Sequence, residues 1–446
     1  MTRRAEAGDG GELPPSWAGW RESLFSLSAL RRHLVWLVAA SLSGLGAYLF
    51  NFAEHHGEEF RAWLMDISPW LQAGLVSISL LVICPLRDRV FPGTEGTGIP
   101  QTIAALKIAD GPEREQVLSF RILLGKAILL VMALFAGPTI GREGPSVHVG
   151  ASCLYLASRF ARFPHHLVER GLILGGGAAG IAAAFNAPLA GIVFAFEEIG
   201  RSFEKSNAGT IVRTVLIACV VNLVFLGDYI FYGRIGGGLH TLEEWLQTIV
   251  IGAAGGLLGG SFSLGVVVLN RRLAPLRSKR PLVVAGGLGL ILGALGIASG
   301  GLSYGSGYPA AEAMLMEGRQ FPPWLAPSVS LGNFVTLLSG IPGGLFDPSL
   351  TTGAALGQLS VPLFPDFDPR ALLLLWMVSY FTGVVQCPIT AVVILIEMTD
   401  ARALTIPLGI AAIVAYEVSR LVCRTALYEA LAQTFLERMR AGGPVR

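Results

Sequence analysis

Apolar stretches long enough to cross a lipid bilayer recur along this chain, at roughly 33–52, 70–86, 121–139, 208–226, 246–270, 281–298 and 404–423, where a spanning helix needs about 20 predominantly apolar residues. Composition agrees: of 446 residues, 52% are hydrophobic and only 14% are charged, whereas soluble globular chains carry about 25% charged residues. The same balance excludes disorder, which combines low hydrophobicity with high charge. The chain is therefore expected to be an all-α, polytopic membrane protein. Between the long stretches lie shorter ones, around 100–107, 146–158, 171–183, 187–197, 327–340, 348–362 and 388–398, each too short or too often interrupted by Gly and Pro to span alone. Broken backbone at membrane depth must be buried in protein or line a polar cavity, because lipid cannot satisfy free N–H and C=O groups. Half-spanning helices around an enclosed pathway are the natural reading.

Net charge is +2, and no basic block is long enough to form a nucleic-acid surface, so nucleic acid is not expected as a partner. Lys and Arg mark the cytoplasmic side of a membrane protein. They gather at Arg3, Arg4, Arg21, Arg31 and Arg32, in the loop 271–280 (Arg271, Arg272, Arg277, Lys279, Arg280), and at Arg420, Arg424, Arg438, Arg440 and Arg446, while loops near 54–60 and 227–245 are acidic or neutral. Both termini are thus expected inside. The segment 1–30 has no signal-type apolar core or cleavage site and reads as a cytosolic tail. Cys84, Cys153, Cys219, Cys387 and Cys423 have no metal or redox spacing and read as small buried hydrophobes. Neither HExxH nor GxSG occurs, which speaks against an intramembrane protease; the chain reads as a non-enzyme.

Two pairs of segments repeat in the same order. GREGPSVHVGA at 141–151 aligns with GLFDPSLTTGA at 344–354, and FNAPLAGIVFAFEE at 185–198 with VQCPITAVVILIEM at 385–398, at offsets of 203 and 200 residues. The repeats divide a transmembrane domain, 31–435, into halves at about 31–230 and 240–435, followed by a short tail at 436–446. Interrupted helices at matching places in duplicated halves are the layout of many transport folds, with the site near the midplane.

The repeated turns suit an anion. Pro138, Pro145 and Pro348 stand where short helices are expected to begin, and Gly137, Gly141, Gly144, Gly343 and Gly344 let backbone N–H groups turn toward a common point. Partial positive charge at helix N-termini binds an anion without holding it too tightly for flux, which a dehydrated halide would suit. Glu143 places a carboxylate inside that turn. Deprotonated, it competes with the anion; protonated, it leaves the position open, so one residue could serve as gate and proton carrier. Pairing with Arg142 or capping its own helix are the structural alternatives. Glu197 and Glu198 end an apolar run, either as a proton access point or as a solvated helix end. Glu397 is read as structural, Asp347 as a helix cap facing away from the ligand, and His148 as a packing histidine. No metal site is expected.

These residues together resemble the CLC family of chloride channels and chloride/proton antiporters, over about residues 30–435. GREGP at 141–145, GGLFDP at 343–348, GTGIP at 96–100 and AAAFNAPLAGIVFAFEE at 182–198 are similar to its signatures. The resemblance implies a CLC-type fold of two inverted-topology repeats with broken, tilted and half-spanning helices, assembled as a homodimer with one anion pathway per subunit. By the same match, Glu143 corresponds to the external gating glutamate and Glu198 to the internal proton glutamate of antiporters. Thr97, Tyr428 and the N–H groups of Leu345 and Phe346 correspond to the central anion site, with Gly141, Arg142, Gly144, Gly343 and Gly344 supplying backbone around it. Thr97 stands where chloride-preferring members usually have serine, Pro145 argues against the fluoride-exporting branch, and Asp347 stands where alanine is common. The 18 residues after Tyr428 are too few for paired cystathionine-β-synthase domains. The expected function is exchange of Cl⁻ for H⁺ without a cofactor, the alternative a passive chloride channel on the same fold. A bacterial inner membrane fits the absence of extra domains and of a cleavable signal.

Overall fold

The computed structural model describes residues 26–109, 111–163, 167–201, 205–227, 229–239 and 241–440. Arg3, Arg4, Arg21 and Arg446, on which part of the orientation reading rests, lie outside these residues. Nine α-helices precede residue 230 among them: α1 (Leu27–Ile67), α2 (Pro69–Arg89), α3 (Ile99–Lys107), α4 (Gly111–Glu115), α5 (Phe120–Ala136), α6 (Glu143–Ala157), α7 (Leu172–Phe185), α8 (Pro188–Phe194) and α9 (Lys205–Leu226). Then follow α10 (Leu242–Lys279), α11 (Pro281–Ala298), α12 (Tyr308–Glu312), α13 (Leu325–Ser339), α14 (Phe346–Ser360), α15 (Pro369–Val385), α16 (Pro388–Thr399), α17 (Thr405–Val422) and α18 (Leu427–Arg440).

Among the described residues, seven helices are long and apolar enough to cross a membrane, and they coincide with the seven long stretches read from hydropathy. The chain is an integral membrane protein. Two of the seven far exceed a minimal span: α1 has 41 residues and α10 has 38. The segment 54–60, read as a loop, lies inside α1. It stays helical because Glu54, Gly57 and Arg61 share a buried face at helical spacing, so polar residues there have protein partners rather than lipid. One core helix escaped the sequence reading altogether. α15 is buried from Ala371 to Val385 on every side, so it shows no amphipathic period to detect.

Small residues set the packing. A Cβ on Gly150 of α6 would strike the carbonyl of Gly176 in α7, and one on Gly176 would strike that of Gly150, so these two helices cross at backbone contact. Gly255 and Gly259 of α10 lie as closely on α15, and Gly256 on α17. Among apolar helices in lipid, such close approach is a main source of association, which accounts for much of the chain's 56 glycines.

The repeats occupy equivalent places. α6 and α14 have 15 residues each. α7 ends at Asn186 (φ 52°) and α15 at Gln386 (φ 59°), both left-handed, and the next helices open with Pro188 and Pro388. Each repeat also closes a helix of the other. The Glu397 carboxylate accepts from the N–H groups of Leu189 (3.0 Å) and Ala190 (2.6 Å) at the start of α8, while that of Glu197 accepts from Ile389 (3.0 Å) and Thr390 (2.6 Å) at the start of α16.

Candidate anion and proton site

The two repeated turns meet at the centre. Gly141 and Gly344 form an antiparallel bridge, Gly141 N–H donating to Gly344 O at 3.0 Å and Gly344 N–H to Gly141 O at 2.6 Å. α6 starts immediately after one strut and α14 after the other, and no side chain caps either N-terminus. The first-turn N–H groups, with the positive end of each helix, are left to a ligand. The bridge glycines leave room for the Glu143 carboxylate, which a Cβ on Gly141 or Gly344 would displace. Gly144 is held against Thr97 and Gly343 against Ile140. Pro145 and Pro348 are the third residues of their helices, as expected. Pro138 is not at a helix start: it follows Gly137, whose left-handed φ of 94° ends α5, an arrangement in which proline stops the helix.

Two hydroxyls approach these turns. Thr97 precedes α3 and packs on Gly144; it is 2% exposed, and its Oγ1 has no hydrogen-bond partner among the described residues. Tyr428 of α18 is fully buried, its hydroxyl likewise unpartnered, with its ring 6.3 Å from that of Phe346 at the start of α14. The Phe346 ring is fixed by Phe381 (4.8 Å), Phe194 (5.9 Å) and Phe185 (6.0 Å). Buried hydroxyls are nearly always hydrogen-bonded, so two unsatisfied ones beside open helix N-termini mark a place for an acceptor. A cleft lined by Gln101, Asn270, Arg277 and Arg438 reaches Thr97. The Lys/Arg distribution assigned Arg277 and Arg438 only to topology; their place beside Thr97 in this cleft depends on α10 and α18 packing together.

Glu143 is fully buried, and among the described residues no other N–H or hydroxyl group donates to its carboxylate. Arg142 is not its partner: the guanidinium pairs with Glu54 of α1, donates to Ala184 O at 3.2 Å and lies over the Phe231 ring. Asp347 also departs from expectation. It makes no capping bond in α14 and is fully buried, and among the described residues the one hydrogen-bonding contact of its carboxyl is with that of Glu143. His148 packs as read, Nε2 lying 3.0 Å from Val117 O. Among the described residues, no group of three or more His, Cys, Asp or Glu gathers as for a metal.

Glu197 and Glu198 separate in role. Both lie in a π-helical turn, Ala195–Ile199, which interrupts the repeat where α16 stays α-helical. Glu197 is occupied by the cap on α16. Glu198 turns inward, 1% exposed, where the Cys387 thiol donates to it at 2.9 Å and Arg201 approaches both oxygens at 3.3 and 3.4 Å. Arg201 also faces Glu429 (3.6 Å), which pairs with the partly exposed Lys107 and accepts from Gln433 at 2.9 Å. Although burial opposes it, Lys107 and Gln433 hold the Glu429 carboxyl below its usual range. Cys387, Arg201, Lys107 and Glu429 carried no signal in the sequence.

The geometry matches known proteins. The family model described as voltage gated chloride channel covers residues 79–420. A curated H⁺/Cl⁻ exchange transporter, ClcA of Vibrio cholerae, is 29% identical over 91% of this chain and 89% of its own. ClcA of Klebsiella pneumoniae is 29% identical over 83% and 80%. A solved structure of a slow cyanobacterial Cl⁻/H⁺ antiporter superposes with a TM-score of 0.79 at 25% identity, covering 92% of this chain and 99% of that one. A CLC-type fluoride/proton antiporter superposes at 0.77 with 21% identity, over 91% and 99%, and shares the fold. With bridged helix starts and a family match across most of its length, the chain belongs to the voltage-gated chloride channel (CLC) family.

Proposed function

We propose that this protein exchanges Cl⁻ for H⁺ across a membrane. The observation that carries the reading is the pair of buried, unpartnered hydroxyls of Thr97 and Tyr428 beside the uncapped starts of α6 and α14. Chloride there would accept from both hydroxyls and from the Leu345 and Phe346 N–H groups. Glu143 holds the outer anion position when ionised and releases it when protonated. Glu198 receives the proton on the other side, with Arg201, Glu429 and Lys107 between it and water. The exchanger relatives support this reading over a passive channel. We further propose a homodimer in a bacterial inner membrane, with both termini and the Arg277 and Arg438 cleft on the cytoplasmic side.

The test is H⁺ uptake by chloride-loaded proteoliposomes diluted into low-chloride medium without a pH gradient. Uphill uptake is expected from wild type; chloride efflux with no proton movement would leave a channel. Glu198→Gln should lose proton uptake while retaining chloride efflux, because the amide takes up no proton while the Thr97 and Tyr428 hydroxyls stay in place. Tyr428→Phe and Thr97→Val should each weaken chloride binding about tenfold, the usual worth of one hydrogen bond to a charged group, as read by calorimetric titration in detergent. Glutaraldehyde cross-linking of the protein in dilute vesicles checks the dimer.

A further inference from the structure

Around the Gly141–Gly344 bridge the charges do not balance. Arg142, the cation of that turn, is matched by Glu54. That leaves Glu143 and Asp347, both fully buried and in contact with each other, with no hydrogen bond from any third residue to their four oxygens among the described residues. Their contact is a hydrogen bond only when one of them carries a proton. Two touching, buried carboxyl groups cannot both ionise; they hold a proton between them. Arg142, shared with Glu54, is the one cation whose charge reaches both carboxyls among the described residues; the other ionisable groups near Asp347 add none. They are Tyr308 and Glu312 of α12, Tyr229 and Tyr232 before α10, and Glu58 of α1, itself beside Arg61. α13 has no ionisable side chain, and those of α15, Arg370 and Tyr380, bond Met316 and Ser330.

We propose that Asp347 is a second proton-binding group of the gate, sharing one proton with Glu143 and needing to be neutral before an anion can enter between the turns. The proposal rests on the reading of Glu143 as gate. With one shared proton the position is closed. A second proton from outside, by way of the partly exposed Glu312 and Tyr308, leaves both groups neutral; Glu143 then moves aside, and no ionised Asp347 remains at the start of α14 to repel chloride. On closing, the O–H bond of one carboxyl breaks as the proton leaves to water, its negative charge stays on the pair, and the remaining proton is shared again.

Chloride efflux and proton uptake from proteoliposomes, with pH varied equally on both sides, test this. Glu143→Gln is expected to move chloride without protons, yet its chloride flux should still fall about tenfold per pH unit on the alkaline limb, as one remaining titrating group requires. Glu143→Gln with Asp347→Asn should be flat over that range. A flat profile for Glu143→Gln alone, or a surviving slope in the double variant, overturns the assignment to Asp347. Uphill proton movement persisting in Glu143→Gln would instead overturn the gate reading. Should Glu143→Gln fail to purify as a monodisperse protein, Glu143→Ala carries the same comparison.

Discussion

Glu143→Gln is expected to reduce uphill proton uptake to the level of protein-free vesicles while chloride continues to cross. The expectation follows from placement. The Glu143 carboxyl lies against Gly141 and Gly344, so closely that a methyl group on either would displace it. It therefore sits within the bridge joining the two open helix starts, where an anion would bind. Glutamine has nearly the same shape but takes up no proton and carries no charge to compete with chloride. Paired chloride and pH electrodes over one vesicle suspension report both fluxes together; proton uptake surviving the substitution would remove Glu143 from the proton route.

The second large effect is structural. Glu54→Ala should destabilise the protein by about 3–5 kcal/mol, because it breaks a buried ion pair and removes the carboxylate bonded to the Arg142 guanidinium. The pair lies at the junction of α1, the Gly141 turn and the end of α7, with Arg142 also bonded to Ala184 O. Loss of monodisperse protein on size exclusion after graded heating is the readout. Glu54→Ala combined with Arg142→Met should recover most of the loss, since an apolar replacement of both partners leaves no buried charge. If the double variant is no more stable than the single one, the broken-pair explanation fails.

Hydropathy located all seven long helices found among the described residues, because the solvent on their outer faces is lipid and each must be apolar over the stretch that spans it. The paired prolines at 145 and 348 and at 188 and 388 disclosed the duplication, since helix starts need those residue types locally. α15 was invisible for the opposite reason: burial on every side removes the polar face that gives a helix its period. Site chemistry divided likewise. Glu143 was conspicuous as an acid inside a glycine turn. Asp347 looked like a cap, because first-turn acids usually are; only the approach of α6 to α14 turns it toward a second carboxyl. The bond from Cys387 to Glu198 joins residues 189 positions apart, and no local pattern foretells such a meeting. The length of α1 was underestimated because Glu54 and Arg61 look solvent-facing until their helical partners are in place.

The exchange of caps between Glu197 and Glu397 has a consequence for biosynthesis. The N–H groups at the start of α8 wait for a carboxylate 208 residues downstream, an interval of roughly 10–40 s at ordinary translation rates. Throughout that time the emerging first half carries an unfinished helix end that nothing within it completes. A nascent chain arrested before residue 397 is thus a marked intermediate, open to membrane chaperones and proteases, and two half-length polypeptides synthesised separately would have to find each other in the bilayer before either was whole.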